Sequence, residues 1–169
     1  NGRNFGTSKV LEGVSAAEKA GFTPLKINAV VQRGVNDHTI VELARHFKER
    51  GHIVRFIEYM DVGTRNAWEM DEVVSANEIV KTISAEMPLE PVDPNYAGEV
   101  AMRYRYKDGG GEIGVIASVT RPFCGDCSRI RLSPEGSIYT CLFASEGNDL
   151  RAPLREGVSD AELEKIIDA

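Results

Sequence analysis

The sequence predicts an α/β fold, because segments of helical periodicity alternate with short β-rich runs through its first half. Apolar residues recur at helical spacing over residues 8–20 and 39–50. Residues 25–31 and 52–60 are short runs rich in β-branched residues, and they predict strands. The order helix, strand, helix, strand implies parallel strands joined by crossover helices.

The middle of the chain predicts a loop, a capped helix and an extended connector. We expect residues 61–71 to form the loop. Ser75 and Glu78 have the spacing of a capping box, which opens a helix that runs to about residue 86. An extended connector is then marked by Pro88, Pro91 and Pro94.

Two further strands and a final helix are predicted in the second half. Residues 100–106 and 112–119 have strand character and flank a turn of three glycines at residues 109–111. A last helix follows Ser159, and Glu162 completes a second capping box there.

Three cysteines are brought together by a predicted hairpin. Cys124 and Cys127 form a C-x2-C pair, which places two thiolates within reach of one metal centre. The Pro and Gly of residues 133–136 suit a type I turn, so residues 129–141 are predicted to form a hairpin. That hairpin returns Cys141 to the C-x2-C pair, and three soft ligands converge.

The composition is typical of a soluble globular protein and argues against several functions. The net charge of −6 argues against a general nucleic-acid binder, which would carry a basic patch. No apolar run is long enough to cross a membrane, and no signal peptide is visible. Because the cysteine count is odd, a full disulfide framework is impossible within one chain, and reduced cytoplasmic cysteines with a metal are favoured.

The residue types alone leave the metal open between zinc and an iron–sulfur cluster. Structural zinc takes four ligands, and the remaining candidates His38, His46 and His52 all precede the motif by more than seventy residues. A carboxylate such as Asp126 could complete a zinc site. A four-iron cluster with three thiolates instead leaves one iron open to bind a ligand.

Basic residues lie beside this motif and inside two predicted strands. Arg129 and Arg131 point to one face in a strand, where two guanidinium groups suit a phosphate-bearing ligand. Lys26 and Arg55 lie inside strands of a parallel sheet, where a charge needs a carboxylate partner or a cavity. The alternatives are solvated surface arginines and an ion pair such as Arg55 with Glu58.

Longer runs carry a resemblance to a known family. These runs are residues 123–132, Gly136 and residues 141–144, together with residues 26–31, 34–37 and 55–60. The first set resembles the C-terminal cluster motif of the GTP 3′,8-cyclases, which are radical S-adenosylmethionine enzymes of molybdenum cofactor biosynthesis. The second set resembles barrel strands of the same family. The resemblance covers nearly the whole chain.

The resemblance implies the later part of an incomplete α/β barrel, at residues 1–99, followed by a C-terminal iron–sulfur extension at residues 100–169. In this family, a first 4Fe–4S cluster on an N-terminal C-x3-C-x2-C motif cleaves S-adenosylmethionine. A second 4Fe–4S cluster with three cysteine ligands binds the guanine of GTP through its open iron. The deoxyadenosyl radical removes a hydrogen from the ribose 3′ carbon, and that carbon bonds to C8 of the base.

Carried over position by position, the resemblance implies roles for individual residues, none of them catalytic. The ligands of the second cluster are Cys124, Cys127 and Cys141. The residues that match substrate-binding positions are Lys26, Arg129, Ile130 and Arg131, and Arg55 is a further triphosphate candidate. The residues assigned to S-adenosylmethionine are Met60 and Asn28.

The chain departs from the family by lacking a C-x3-C-x2-C motif. The resemblance therefore implies a fragment that binds part of the substrate and catalyses nothing alone. The start without Met and the helical patterns at both ends predict that the chain is cut at both ends. A half-barrel exposes an unpaired strand edge, so we expect either association, as in a homodimer, or a missing part supplied elsewhere. The implied partners are GTP, S-adenosylmethionine and the downstream cyclic pyranopterin monophosphate synthase. The competing interpretation is a zinc-ribbon interaction module on an α/β half-domain.

Overall fold

The computed structural model describes residues 6–61 and 67–168, which divide into two compact units. The first unit contains residues 6–60 and 68–125. The second contains residues 61, 67 and 126–168. The predicted division into a partial barrel at residues 1–99 and a C-terminal extension at residues 100–169 stays a prediction.

The first unit begins with the predicted alternation of helix and strand. Helix α1 (Thr7–Lys19), strand β1 (Lys26–Val31), helix α2 (Ile40–Glu49) and strand β2 (Ile53–Glu58) follow one another. Strands β1 and β2 are parallel. The four predictions from periodicity are therefore confirmed, with boundaries that differ by one or two residues.

The rest of the first unit completes a mixed five-stranded sheet. Helix α3 (Ala76–Glu86) is followed by β3 (Leu89–Val92), β4 (Met102–Tyr106) and β5 (Glu112–Ile116). The strand order is β1-β2-β5-β4-β3, in which β5 is parallel to β2 and β4 is antiparallel to both of its neighbours. The α/β class is confirmed, and the sheet combines parallel with antiparallel strands.

Part of the predicted extended connector is strand β3. Pro91 stands in register with Tyr104 of β4, although proline has no N–H to donate. Because β3 is the outermost strand of this sheet, proline is tolerated there. The sequence analysis predicted an extended connector here and did not predict the strand. The proline in this segment indicates an edge strand.

The predicted loop and the predicted capping box lie in the middle of the chain. The described residues cover only part of the loop, and only one of the two hydrogen bonds of the capping box forms. Residues 62–66 of the predicted loop lie outside the described residues, and Met70–Glu72 forms a 3₁₀ turn at its end. At α3, Ser75 Oγ accepts a hydrogen bond from the Glu78 N–H at 3.2 Å, as predicted. The Glu78 carboxylate binds both terminal nitrogens of Arg33 instead of completing the capping box. A bidentate guanidinium is the stronger partner for a carboxylate.

One face of the sheet packs against α2 and α3 and forms the core. The fully buried residues on that face and on the two helices include Val54, Phe56, Ile113, Val115, Ala44, Phe47, Ile79 and Ile83. Each fully buried side chain of the larger types contributes about 1.5–3 kcal/mol to stability. Strand alternation directs Lys26, Asn28 and Arg55 to the opposite face.

The second unit contains a small three-stranded antiparallel sheet. Its strands are β6 (Arg131–Leu132), β7 (Ser137–Tyr139) and β8 (Asn148–Asp149), in that spatial order. The predicted hairpin is confirmed in β6 and β7 but is shorter than expected. Its turn is closed by a hydrogen bond of 3.0 Å from the Gly136 N–H to the Ser133 carbonyl.

Two helices complete the second unit. Helix α4 (Arg151–Glu156) was not predicted, and neither was the two-residue strand β8. Helix α5 (Asp160–Ile167) begins with the predicted capping box of Ser159 and Glu162. Over residues 6–61 and 67–168, every helix is too short or too polar to span a bilayer.

Candidate functional site

The three cysteines are divided between the two units. Cys124 begins a 3₁₀ turn (Cys124–Asp126) at the end of the first unit. Cys127 and Cys141 belong to the second unit, and Cys141 lies two residues after β7. All three side chains are exposed free thiols. Their exposure leaves the sulfurs accessible to an external metal.

Within the described ranges, no group of three or more His, Cys, Asp or Glu side chains is arranged to hold a metal ion. The convergence of the three thiols therefore stays a prediction. The histidines considered as zinc ligands lie elsewhere, and His52 is already engaged. Its Nε2 contacts Glu18 Oε1 at 2.7 Å, and its Nδ1 accepts a hydrogen bond of 3.4 Å from the Leu25 N–H.

Hydrogen bonds to sulfur make two of the thiols suitable metal ligands. Arg129 Nη2 donates to Cys127 Sγ at 3.2 Å. The backbone N–H of Arg129, and after it the guanidinium, lowers the pKa of the Cys127 thiol. The Phe143 N–H donates to Cys141 Sγ at 3.4 Å. Because the thiolate is the form that ligates metals, N–H groups directed at sulfur fit a bound iron–sulfur cluster by their chemistry.

The basic residues next to Cys127 have different local structures. Arg131 lies in β6, whereas Arg129 and Ile130 precede that strand. Because Arg129 lies outside the strand, strand alternation does not place the two arginines on one face, and that prediction does not hold. Arg131 Nη1 is buried and has no hydrogen-bond partner within the described part of the chain. A buried donor without a partner is costly, so the described residues leave one donor of the Arg131 guanidinium unsatisfied.

The first unit places three of the four remaining candidates on one face of its sheet, namely Lys26, Asn28 and Arg55. Asn28 and Arg55 are paired in register on β1 and β2, and Arg55 Nε donates to Asn28 Oδ1 at 2.8 Å. Lys26 is exposed at the start of β1. Met60 is half-buried and lies two residues beyond β2. The structure therefore brings Asn28 and Arg55 into direct contact.

Gly114 of β5 accommodates the stem of Arg55. A Cβ added at Gly114 would lie 3.0 Å from Arg55 Cγ and 3.2 Å from Ala101 Cβ. Those distances are tighter than ordinary van der Waals contacts. Because Gly114 has no side chain, the stem of Arg55 can lie over position 114 of the sheet.

Glu58 is an important polar residue whose role the sequence analysis missed. It ends β2, and its side chain is fully buried. Glu58 lies three positions after Arg55 in the strand, so the two side chains point to opposite faces and do not form the ion pair considered above. The available signal was an acidic residue in phase with Val54 and Phe56, on the face that packs into the core.

Known proteins resemble this chain over most of its length. Residues 52–169 match the Molybdenum Cofactor Synthesis C family. The chain is 54% identical over 159 residues to the GTP 3′,8-cyclase of Acidothermus cellulolyticus, which covers 94% of this chain and 44% of that protein. It is 53% identical over 150 residues to the GTP 3′,8-cyclase of Xanthomonas axonopodis pv. citri, with coverages of 89% and 45%. It is 51% identical over 163 residues to that of a Synechococcus strain, with coverages of 94% and 46%. The chain thus spans about half the length of these curated relatives.

Proposed function

The chain belongs to the Molybdenum Cofactor Synthesis C family, and from that membership we propose that it is the GTP-binding C-terminal part of a GTP 3′,8-cyclase. The observation that carries the proposal is the family match over residues 52–169, which includes the cysteine motif and the basic residues beside it. The parallel strands β1, β2 and β5 would then belong to an incomplete α/β barrel. The outer edge of β1 would continue into strands from the part of the enzyme that this chain does not span.

Cys124, Cys127 and Cys141 are the proposed ligands of a second 4Fe–4S cluster. When bound, a cluster held by three thiolates leaves one iron able to accept a donor atom of the guanine base. Around it, the backbone N–H and the guanidinium of Arg129 stabilise the Cys127 thiolate, and the Phe143 N–H donates to Cys141 Sγ. This role requires anionic sulfurs, and the hydrogen bonds to Cys127 support its anionic form.

The residues proposed to bind the substrate would attract its phosphates by their charge and contact the nucleotide with an apolar side chain. The guanidinium of Arg131 has a donor, Nη1, without a hydrogen-bond partner among the described residues, and we propose that this guanidinium binds a phosphate oxygen. We propose that Arg129 and Lys26 bind the triphosphate with it, that Arg55 is a further triphosphate contact, and that the exposed Ile130 contacts the nucleotide. Met60 and Asn28 are proposed to contact S-adenosylmethionine.

The remaining parts of the proposal concern the whole enzyme. S-adenosylmethionine and a first 4Fe–4S cluster would bind mainly outside this chain, so the chain alone should not release 5′-deoxyadenosine. The product would pass to cyclic pyranopterin monophosphate synthase, and a homodimer is one way to cover the β1 edge. The exposed free thiols suit a cytoplasmic location, where thiols stay reduced.

Anaerobic reconstitution with iron and sulfide tests the proposal. The wild-type chain should turn brown, show an iron–sulfur absorption band and contain acid-labile sulfide. Each of Cys124→Ser, Cys127→Ser and Cys141→Ser should lose that band, because oxygen is the poorer ligand for such a cluster. Ser128→Ala, a change in the same exposed segment, is the control and should keep it.

Three results would contradict the proposal. Full iron content in all three Ser variants would show that the ligand assignment is wrong. Stoichiometric zinc without sulfide in anaerobically purified protein would support the zinc-ribbon interaction module instead. 5′-Deoxyadenosine formed by the isolated chain would contradict the placement of the radical-generating part outside it.

A further inference from the structure

A buried carboxylate ends the central strand β2. Glu58 is 0% exposed and lies on the sheet face that packs into the core. Removing an ionised carboxylate from water is strongly unfavourable unless hydrogen bonds replace the lost hydration. The partners of Glu58 therefore show what its presence in the core achieves.

Both oxygens of Glu58 are satisfied by hydrogen bonds. Oε1 accepts from the Ala76 N–H at 2.7 Å and from Thr120 Oγ1 at 2.6 Å. Oε2 accepts from the N–H groups of Val119 and Thr120, both at 2.8 Å. Three of these four bonds hold the segment that follows β5, and one holds the first residue of α3.

The distribution of these bonds distinguishes two roles for Glu58. A residue needed only to cap α3 would direct its oxygens at the start of that helix. Ser75 already caps α3 through the Glu78 N–H, and Glu58 gives α3 a single additional bond. Its other three bonds fix Val119 and Thr120, so the principal effect of Glu58 is on the chain leaving β5.

That segment leads directly to the first cysteine. Thr120 precedes Cys124 by four residues, which span at most about 14 Å even when fully extended. Glu58, Thr120 and Cys124 all belong to the first unit. Fixing both N–H groups at positions 119 and 120 therefore limits the positions that the Cys124 sulfur can occupy.

We infer that Glu58 is a positioning residue, which anchors the segment at Val119 and Thr120 and thereby sets the position from which Cys124 ligates a metal cluster. The inference rests on the proposed function, because it assumes that Cys124 is a ligand. It adds a residue of the barrel sheet, remote in sequence from the cysteines, to the determinants of the cluster site.

The test compares Glu58→Gln and Thr120→Val with Ser75→Ala in the full chain. Glutamine has one carbonyl oxygen, so Glu58→Gln cannot accept both pairs of bonds, and its amide N–H group faces other donors. Thr120→Val removes only the hydrogen bond from the Thr120 hydroxyl to Glu58. It replaces Glu58→Gln as the test variant if Glu58→Gln does not fold. Ser75→Ala removes a cap from α3 and leaves the contacts at Val119 and Thr120 intact.

Two measurements are made on each protein. Hydrogen exchange at the amides of Val119 and Thr120 should be about tenfold faster in Glu58→Gln and unchanged in Ser75→Ala. The rate of iron release from the reconstituted protein to a chelator should rise at least about fivefold in Glu58→Gln. The rate should rise less in Thr120→Val and stay near the wild-type value in Ser75→Ala.

The outcomes separate this inference from the proposed function. A wild-type chain that binds no iron would overturn the proposed function, and the inference would fall with it. A wild-type chain that binds iron, with Glu58→Gln and Thr120→Val releasing it at the Ser75→Ala rate, would overturn the inference alone. Faster release in both variants, together with faster exchange at positions 119 and 120, would support it.

Discussion

Thr120 donates to both oxygens of Glu58, through its hydroxyl to Oε1 at 2.6 Å and through its backbone N–H to Oε2 at 2.8 Å. Burial alone would raise the pKa of Glu58, but hydrogen bonds from Thr120, Ala76 and Val119 outweigh it and place the pKa below its ordinary value. The buried carboxylate therefore stays charged at neutral pH. We therefore expect the stability of the first unit to depend on that charge.

The stability difference between wild type and Glu58→Gln should depend on pH. At neutral pH the variant should lose roughly 2–4 kcal/mol of unfolding free energy, since charge-assisted bonds are lost and buried donors remain. Because the folded-state pKa is depressed, the carboxylate stabilises the fold fully above its ordinary pKa of 4.5 and loses this effect as the pH falls through the folded-state value. The difference should be constant above about pH 5.5 and shrink below pH 4.5.

Urea unfolding followed by circular dichroism at a series of pH values measures this difference. Carboxylates such as Glu18, Glu78 and Asp108, whose pKa values are also lowered, titrate in both proteins and cancel in the comparison. A difference that grows as the pH falls would show that the charge of Glu58 does not stabilise the fold.

Gly114→Ala should destabilise the first unit by displacing Arg55. The new Cβ would lie 3.0 Å from Arg55 Cγ, an atom close to the backbone that cannot easily move aside. We expect a loss of about 1–3 kcal/mol, typical of overpacking, and weakening of the bond from Arg55 Nε to Asn28. Urea unfolding gives the first quantity, and the NMR signal of the Arg55 Nε–H gives the second.

Gly13→Ala is the matched control for this prediction. Gly13 lies inside α1, and a Cβ there would meet no atom within 4 Å. Because alanine is the better helix former, the control should be stabilised by up to about 1 kcal/mol. Equal stability of Gly114→Ala and wild type would show that position 114 has room for a side chain.

Local patterns in the sequence were sufficient to predict the elements that have strong periodicity. They do not predict contacts between residues that are distant in sequence. Helix α2 and strand β2 follow directly from the spacing of their apolar residues. The partners of Glu58 at Val119 and Thr120 lie 61 and 62 residues later, beyond any local signal. Glu78 has a capping-box position, yet Arg33, 45 residues earlier, binds its carboxylate.

The candidate site was predictable in residue type more than in geometry. The C-x2-C spacing and the neighbouring basic residues are local, so the sequence alone proposes Cys124, Cys127 and Arg131 as site residues, and their roles stay predictions. The pairing of Arg55 with Asn28 depends on the register of two strands, which spacing within one strand does not determine. Strand β8 has two residues, too few for any periodic pattern.

The proposed phosphate contacts predict that GTP and guanosine respond differently to loss of positive charge in the full-length enzyme. Arg129→Ala, Arg131→Ala and Lys26→Ala should each weaken GTP binding by about tenfold to a hundredfold, since each removes a charge-assisted hydrogen bond of roughly 1.5–3 kcal/mol. Guanosine carries no phosphates, and its affinity should change little. Equilibrium binding of both ligands under anaerobic conditions measures the two effects.

Two further variants make the phosphate prediction specific. Arg131→Lys should not restore binding, because the ammonium lacks the planar fork that contacts two phosphate oxygens at once. Arg155→Ala removes the same charge from the exposed last turn of α4, so it controls for a general change in the electrostatic field. GTP affinity that survives all three alanine changes would show that these residues serve the fold. Guanosine affinity that falls in parallel with GTP affinity would mean that they contact the base or support the site, and the assignment to the triphosphate would be wrong.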